Sequence, residues 1–247
     1  MHARSSIDVG RDGRGHNAVV ALRAEAPLLL RVAGGASAGV PLRVQLVGGA
    51  AGPLGGDVLQ LDISVANDAA LTIRSVAASI AQPGRPGTSG SHASITADVA
   101  TGAALDWWPE PMVSVRGSDH EQSTTVRLAD DTSTLRWVDE VVLGRHAEAG
   151  GRLTMRQRVT VGVLPVLHHA VVFDPQRRGI GRHGPERVVV TAVEVGRPST
   201  SPASIIEPHL RGARFALSPT VTSWVALADD LDRARKALAT LGLEREG

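Results

Sequence analysis

Residues 56–65 read Gly56-Asp57-Val58-Leu59-Gln60-Leu61-Asp62-Ile63-Ser64-Val65. Leu59, Leu61, Ile63 and Val65 alternate with Val58, Gln60, Asp62 and Ser64. Successive side chains of an extended backbone point to opposite faces, so a period of two marks a strand with one apolar side. The alternation returns at 152–163. There Leu153, Met155, Val159, Val161 and Val163 share a face with Gln157, while Arg152, Thr154, Arg156, Arg158 and Thr160 form a polar, basic face.

Working outward, runs rich in Val and Thr at 17–23, 27–32, 41–47, 69–80, 92–99, 112–116, 123–128, 133–143, 166–173, 187–195 and 220–228 predict further strands. Pairs such as Gly34-Gly35, Gly48-Gly49, Asp130-Asp131 and Gly150-Gly151 punctuate them. The expected class is all-β, with many short, mainly antiparallel strands in layered, sandwich-like sheets. No alternation of strand and helix appears, which excludes Rossmann and α/β-barrel folds. No internal repeat and no domain linker stands out. One amphipathic helix is expected near the C-terminus. Asp229 or Asp230 can cap it, Leu231, Ala234, Leu238 and Leu241 form its stripe, and Gly242 stops it. A short helical turn is expected at 204–210. The loops at 82–91, 175–185 and 196–202 are rich in turn formers, and the second carries Arg177, Arg178, Arg182 and His183.

A chain of 247 residues can bury a core without staples, and 43% hydrophobic with 21% charged residues marks a globular protein. The absence of cysteine excludes disulfide frameworks, zinc ribbons, iron–sulfur clusters and thiol nucleophiles. A net charge of +1 gives no electrostatic footprint for nucleic acid. With four Trp, two Phe and no Tyr, stacking platforms for sugars or single strands are lacking. The first residues hold no apolar signal segment, and no apolar run approaches the roughly 20 residues of a membrane span. A cytoplasmic location is expected.

Chemistry-bearing patterns are sparse. The Gly-rich segment 48–57 precedes a strand, whereas phosphate-binding loops follow one and open a helix. His168 and His169 are adjacent in a strand and so point apart. In Leu135-Arg136-Trp137-Val138-Asp139-Glu140-Val141-Val142-Leu143 both faces are largely apolar, so Glu140, on the face of Val138 and Val142, is a buried carboxylate. A buried carboxylate must be paired, hydrogen-bonded or wetted. It is either one half of an ion pair with an arginine, Arg145 or one from 152–158, or part of a polar passage. Trp107-Trp108-Pro109-Glu110-Pro111 offers large apolar rings, either for the core or for a partner.

Four segments in order resemble the UreD family of urease accessory proteins: Gly52-Pro53-Leu54-Gly55-Gly56-Asp57-Val58-Leu59-Gln60-Leu61-Asp62-Ile63, Ala70-Leu71-Thr72-Ile73, Leu105-Asp106-Trp107-Trp108-Pro109-Glu110-Pro111, and Glu140-Val141-Val142-Leu143-Gly144-Arg145. The chain departs from the pattern at Ser75-Val76-Ala77-Ala78-Ser79-Ile80, where most members carry a lysine and a tyrosine. The resemblance implies a single UreD-like domain over 1–247, all-β with few helices and no catalytic activity. It also implies a metallochaperone scaffold that, with UreF and through it the GTPase UreG, delivers nickel to apo-urease. Nickel would be in transit rather than stably bound. The resemblance makes Asp57 and Glu140 candidates for the nickel path, and Trp107, Trp108, Leu231 and Leu238 candidates for partner binding. Nickel accepts imidazole and carboxylate ligands, and without thiolates any contact here is of that releasable kind. The competing readings are a small-molecule or metal-dependent β-sandwich enzyme, and an adhesive sandwich.

Overall fold

The computed structural model describes residues 1–35, 37, 39–174 and 186–245, and the basic loop at 175–185 lies outside them. The strands are β1 (His2–Arg11), β2 (Asn17–Arg23), β3 (Leu28–Gly34), β4 (Leu42–Gly48), β5 (Val58–Val65), β6 (Ala70–Ser75), β7 (Ser79–Ala81), β8 (Ser91–Val99) and β9 (Ala104–Trp107). They continue with β10 (Met112–Ser114), β11 (Asp119–Leu128), β12 (Thr134–Leu143), β13 (Arg152–Val161), β14 (Leu164–Phe173), β15 (Val188–Val195), β16 (Ala203–Glu207), β17 (Leu210–Ser218) and β18 (Val221–Ala228), and the helix is α1 (Leu231–Thr240). A seven-stranded sheet has the order β14-β13-β11-β8-β5-β1-β2, and an eleven-stranded sheet contains β16-β17-β18-β15-β12-β9-β6-β4-β3, with β10 beside β12 and β7 beside β10.

The all-β expectation holds, but the pairing differs from it. The ladders β1-β5-β8-β11-β13 and β4-β6-β9-β12 are parallel, and antiparallel pairs occupy the flanks. The reason lies in the chain path. From β4 to β13 it passes back and forth between the sheets, so each strand re-enters its sheet beside a strand running the same way. Period-two patterning is blind to this, because it reports faces and not directions.

The coiling also reveals a repeat that the sequence reading overlooked. Val65-Ala66-Asn67-Asp68-Ala69-Ala70-Leu71 and Val99-Ala100-Thr101-Gly102-Ala103-Ala104-Leu105 lie in register, Val65 beside Val99 and Leu71 beside Leu105. Their turns stack: Ala100 N–H donates to the Val65 carbonyl (2.9 Å), and Ala104 N–H to that of Ala69 (2.9 Å). Asp68 and Gly102 take matching positive φ values of 59° and 68°. The turn at 129–133 continues the stack, with Ala129 N–H donating to Val99 O and Thr134 N–H to Ala103 O, both 2.9 Å.

The main core fills the space between the sheets, and Trp107 and Trp137 stack in it on neighbouring strands with centroids 4.6 Å apart. A second core lies on the outer face of the larger sheet, where α1 packs Ala234, Ala237 and Leu238 against β15, β18 and Val138 of β12. Asp230 caps α1 by accepting from Arg233 N–H. Gly242, at φ 88°, ends it, and Leu243 N–H returns to Leu238 O (2.8 Å), satisfying a terminal carbonyl. The expected helical turn at 204–210 is instead β16 and the start of β17, paired through Ala203–Arg214 and Glu207–Leu210. Val163, expected on the buried face of β13, sits in the β13–β14 turn after a bulge at Val159/Thr160 and is exposed.

Candidate functional site

The larger sheet has a gap. β12 pairs with β9 as far as Trp137–Trp107 and with β10 only from Val141–Met112 onward. Between these registers Trp108 to Pro111 leave the ladder, so Val138, Asp139 and Glu140 have no strand partner on that side. Two prolines, Pro109 and Pro111, lack the N–H that would close it. The neighbouring strand breaks in step, between β6 and β7. A cavity of about 420 Å³ lies between the sheets at this place. It is lined by Leu59 and Ile95 from one sheet, by Met112 from the other and by the rim 75–79, and it reaches His120, Gln122, Glu110, Asp139 and Glu140. Asp139 and Glu140 are consecutive strand residues facing opposite sides of the sheet. One cavity touches both because the ladder is open beside them.

On the inner side, Asp139 accepts from Trp137 Nε1 (3.0 Å to Oδ2) and from Gln122 Nε2 (3.4 Å to Oδ1). Burial pushes its carboxyl up to about 6, against those hydrogen bonds and with help from the neighbouring charge of Glu140. Among the described residues, no cation is hydrogen-bonded to it. On the outer side, the side chain of Glu140 is fully buried and fully bonded. Trp108 Nε1 donates to Oε1 (2.9 Å), Arg235 Nε to Oε1 (2.9 Å) and Arg235 Nη2 to Oε2 (2.5 Å). Arg235 Nη2 also reaches Glu110 Oε2 (3.2 Å), and Arg245 holds Glu110 Oε1 (2.7 Å) with its guanidinium over the Trp108 ring. Burial raises the Glu110 carboxyl, but the bonds from Arg245 and Arg235 outweigh it and hold the group below its usual value. The Glu140 hydrogen bonds keep Arg235 more firmly protonated than a free arginine, against the opposing effect of burial.

A polar line continues inward along β11. His120 is completely buried; its Nδ1 lies 2.8 Å from Ser91 Oγ, and its Nε2 has no hydrogen-bond partner. Burial lowers its pKa to about 4, reinforced by His92, so the ring is neutral at physiological pH. Thr124 Oγ1 and Gln157 Nε2, on the same inward face, are also buried without partners. Buried polar atoms left open in this way call for water or a passing ligand.

A family comparison matches the description "UreD urease accessory protein" over residues 1–242. The chain belongs to the UreD urease accessory protein family. It is 37% identical to the urease accessory protein UreD of Frankia alni, with 98% of this chain and 92% of that one covered. It is 37% identical to that of Streptomyces avermitilis, with 98% of each covered, and 34% identical to that of Streptomyces coelicolor, with 96% and 94% covered.

Set on this UreD fold, three of the four resembling segments converge on the cavity: Gly52, Pro53 and Leu59, then Trp107, Pro109 and Glu110, then Glu140. Gly144, in the last segment, has a φ of 79°, and a Cβ there would stand 2.1 Å from Glu148 O. It is the residue the turn after β12 requires. Ser75 to Ser79, where the chain departs from the expected family pattern, form a rim of mostly small residues. Glu140 pairs with Arg235, not with Arg145 or an arginine of β13 as the sequence suggested. Asp57 does not line the cavity. It is 4% exposed, and its carboxylate accepts from the Met1 amino group (2.8 Å) and Leu54 N–H (2.9 Å), closing the glycine-rich turn. Trp107 and Trp108, at 3% and 2% exposed, are core residues, as is Leu238; Leu231 packs on the α1 core with part of its surface open. The apolar surface of Trp107, Trp108 and Leu238 is thus buried within the chain. Asp139, His120 and Arg235 join Glu140 at the site although none of them lies in the four resembling segments.

Proposed function

We propose that this protein is a urease maturation scaffold that acts by contact and passage rather than turnover. It would hold apo-urease together with UreF and, through UreF, UreG, and give nickel a route toward the urease active site. The observation that carries this reading is the open ladder beside Asp139 and Glu140. There one internal cavity reaches both Asp139, on the inner side of the larger sheet, and Glu140, on its outer side. Oxygen ligands of this kind, without thiolate, suit a borderline cation that must be released again. Among the described residues no group of three or more His, Asp or Glu is placed to hold a metal ion. No helix among them is long and apolar enough to cross a membrane, and the reading takes maturation to occur in the cytoplasm.

Reconstitution tests it. Purified apo-urease, UreF, UreG, GTP, bicarbonate and nickel are assayed for urea hydrolysis with and without this chain. The expected result is activation that depends on it. Equal activation in its absence refutes the reading.

A further inference from the structure

We propose that Arg235 is a tethered counter-cation for the sheet gap, and that a divalent cation passes Glu140 only by exchanging with it. The inference rests on the passage reading and adds the element that regulates it. Arg235 comes from α1, far along the chain, yet it binds both oxygens of Glu140 and one of Glu110. Together with Arg245 it gives the outer mouth two carboxylates and two guanidiniums. A mouth so balanced offers an incoming dication no free carboxylate.

Exchange is feasible because the partners are unequally buried. The side chain of Glu140 is 0% exposed and that of Arg235 is 28% exposed. The carboxylate is fixed by Trp108 and the strand, while the guanidinium hangs on a flexible stem reaching in from the surface. A second carboxylate, supplied by a docking partner, could draw Arg235 outward without unseating α1, because Ala234, Ala237 and Leu238 hold the helix independently. Arg235 is a positioning residue: it sets whether Glu140 is available and need not touch the cargo.

The test uses the isolated full chain and nickel ion alone. Calorimetric titration compares wild type with Arg235→Ala, Arg235→Gln and Arg235→Lys. Removing the competing charge should raise nickel affinity at least about tenfold in the Ala and Gln variants. Lysine, which retains the charge, should restore near-wild-type closure. Adding Glu140→Gln to Arg235→Gln should abolish the gain. Nickel should also raise the melting temperature of the open variants, by about 5 °C or more near 100-fold excess over Kd, and leave wild type nearly unmoved. A folded Arg235→Gln protein that binds nickel no better than wild type overturns the proposal, as does a gain that survives Glu140→Gln. Should both open variants fail to fold, wild type decides: the Arg235 Nε–H resonance must shift when zinc, a diamagnetic stand-in, is added to millimolar concentration, and an unmoved signal overturns the exchange. Failure here with urease activation intact leaves the passage reading standing. Failure of activation by wild type defeats that reading instead.

Discussion

Asp139→Asn removes one buried charge and leaves the shape of the side chain almost unchanged. The carboxyl titrates at about 6 in the fold against an ordinary 3.8. A rise of about two units corresponds to about 3 kcal/mol, and it acts against the native state wherever the unfolded chain is ionised and the native chain is forced to be. That cost is absent below pH 3.8, where both states are protonated. It grows as the pH rises, because the unfolded chain gives up its proton first, and it is complete above pH 6. Asparagine copies the neutral form and keeps an acceptor for Trp137, at a pH-independent loss of roughly 1 kcal/mol for the altered contact with Gln122. The variant should therefore be more stable than wild type by about 2 kcal/mol at pH 7, and the difference should decline between pH 6 and pH 4 by about 3 kcal/mol. Urea unfolding followed by circular dichroism from pH 4 to pH 8 gives this difference directly. The same variant should activate urease less well, since the inner carboxylate is gone. A difference that does not change with pH, or an Asn variant weaker than wild type at pH 7, would show that Asp139 is not the strained group described here.

His120→Gln should give a difference curve of opposite sign. The native ring stays neutral down to about 4 while the unfolded ring protonates near 6.5, so wild type loses roughly 3 kcal/mol on acidification through that window and the Gln variant does not. Leu238→Ala should cost about 2–5 kcal/mol by opening a cavity in the α1 core, measured by urea unfolding; a variant of unchanged stability that loses partner binding would return Leu238 to the surface. Gly144→Ala should cost about 2 kcal/mol or more, from the left-handed backbone and the contact with Glu148 O, read as a lowered melting temperature.

What the sequence disclosed follows from which interactions are local. Strand faces are local, and the buried doublet in β12, the α1 stripe and its Asp230 cap were all legible. Strand direction is not local. The parallel ladders arise because the chain alternates between sheets, and the trace of that in the sequence is the matched pair 65–71 and 99–105, short and separated by unlike strands. The gap in the sheet was half legible: Pro109 and Pro111 forbid ladder bonds, yet nothing in them says which strand lies alongside. Asp57 shows how local bonding decides a carboxylate's place. A carboxylate after a glycine-rich turn looks available, but a buried one is most readily satisfied by the nearest backbone N–H, here that of Leu54. Arg235 left a detectable signal. It stands at the edge of the apolar stripe of α1, one turn after Leu231, where a charged side chain is half-buried. A buried glutamate on an apolar strand needs a cation, and an arginine at the edge of a helix's apolar stripe can reach in to supply it. Pairing such groups across the sequence points to the Glu140–Arg235 contact, and with it to the element that covers the gap.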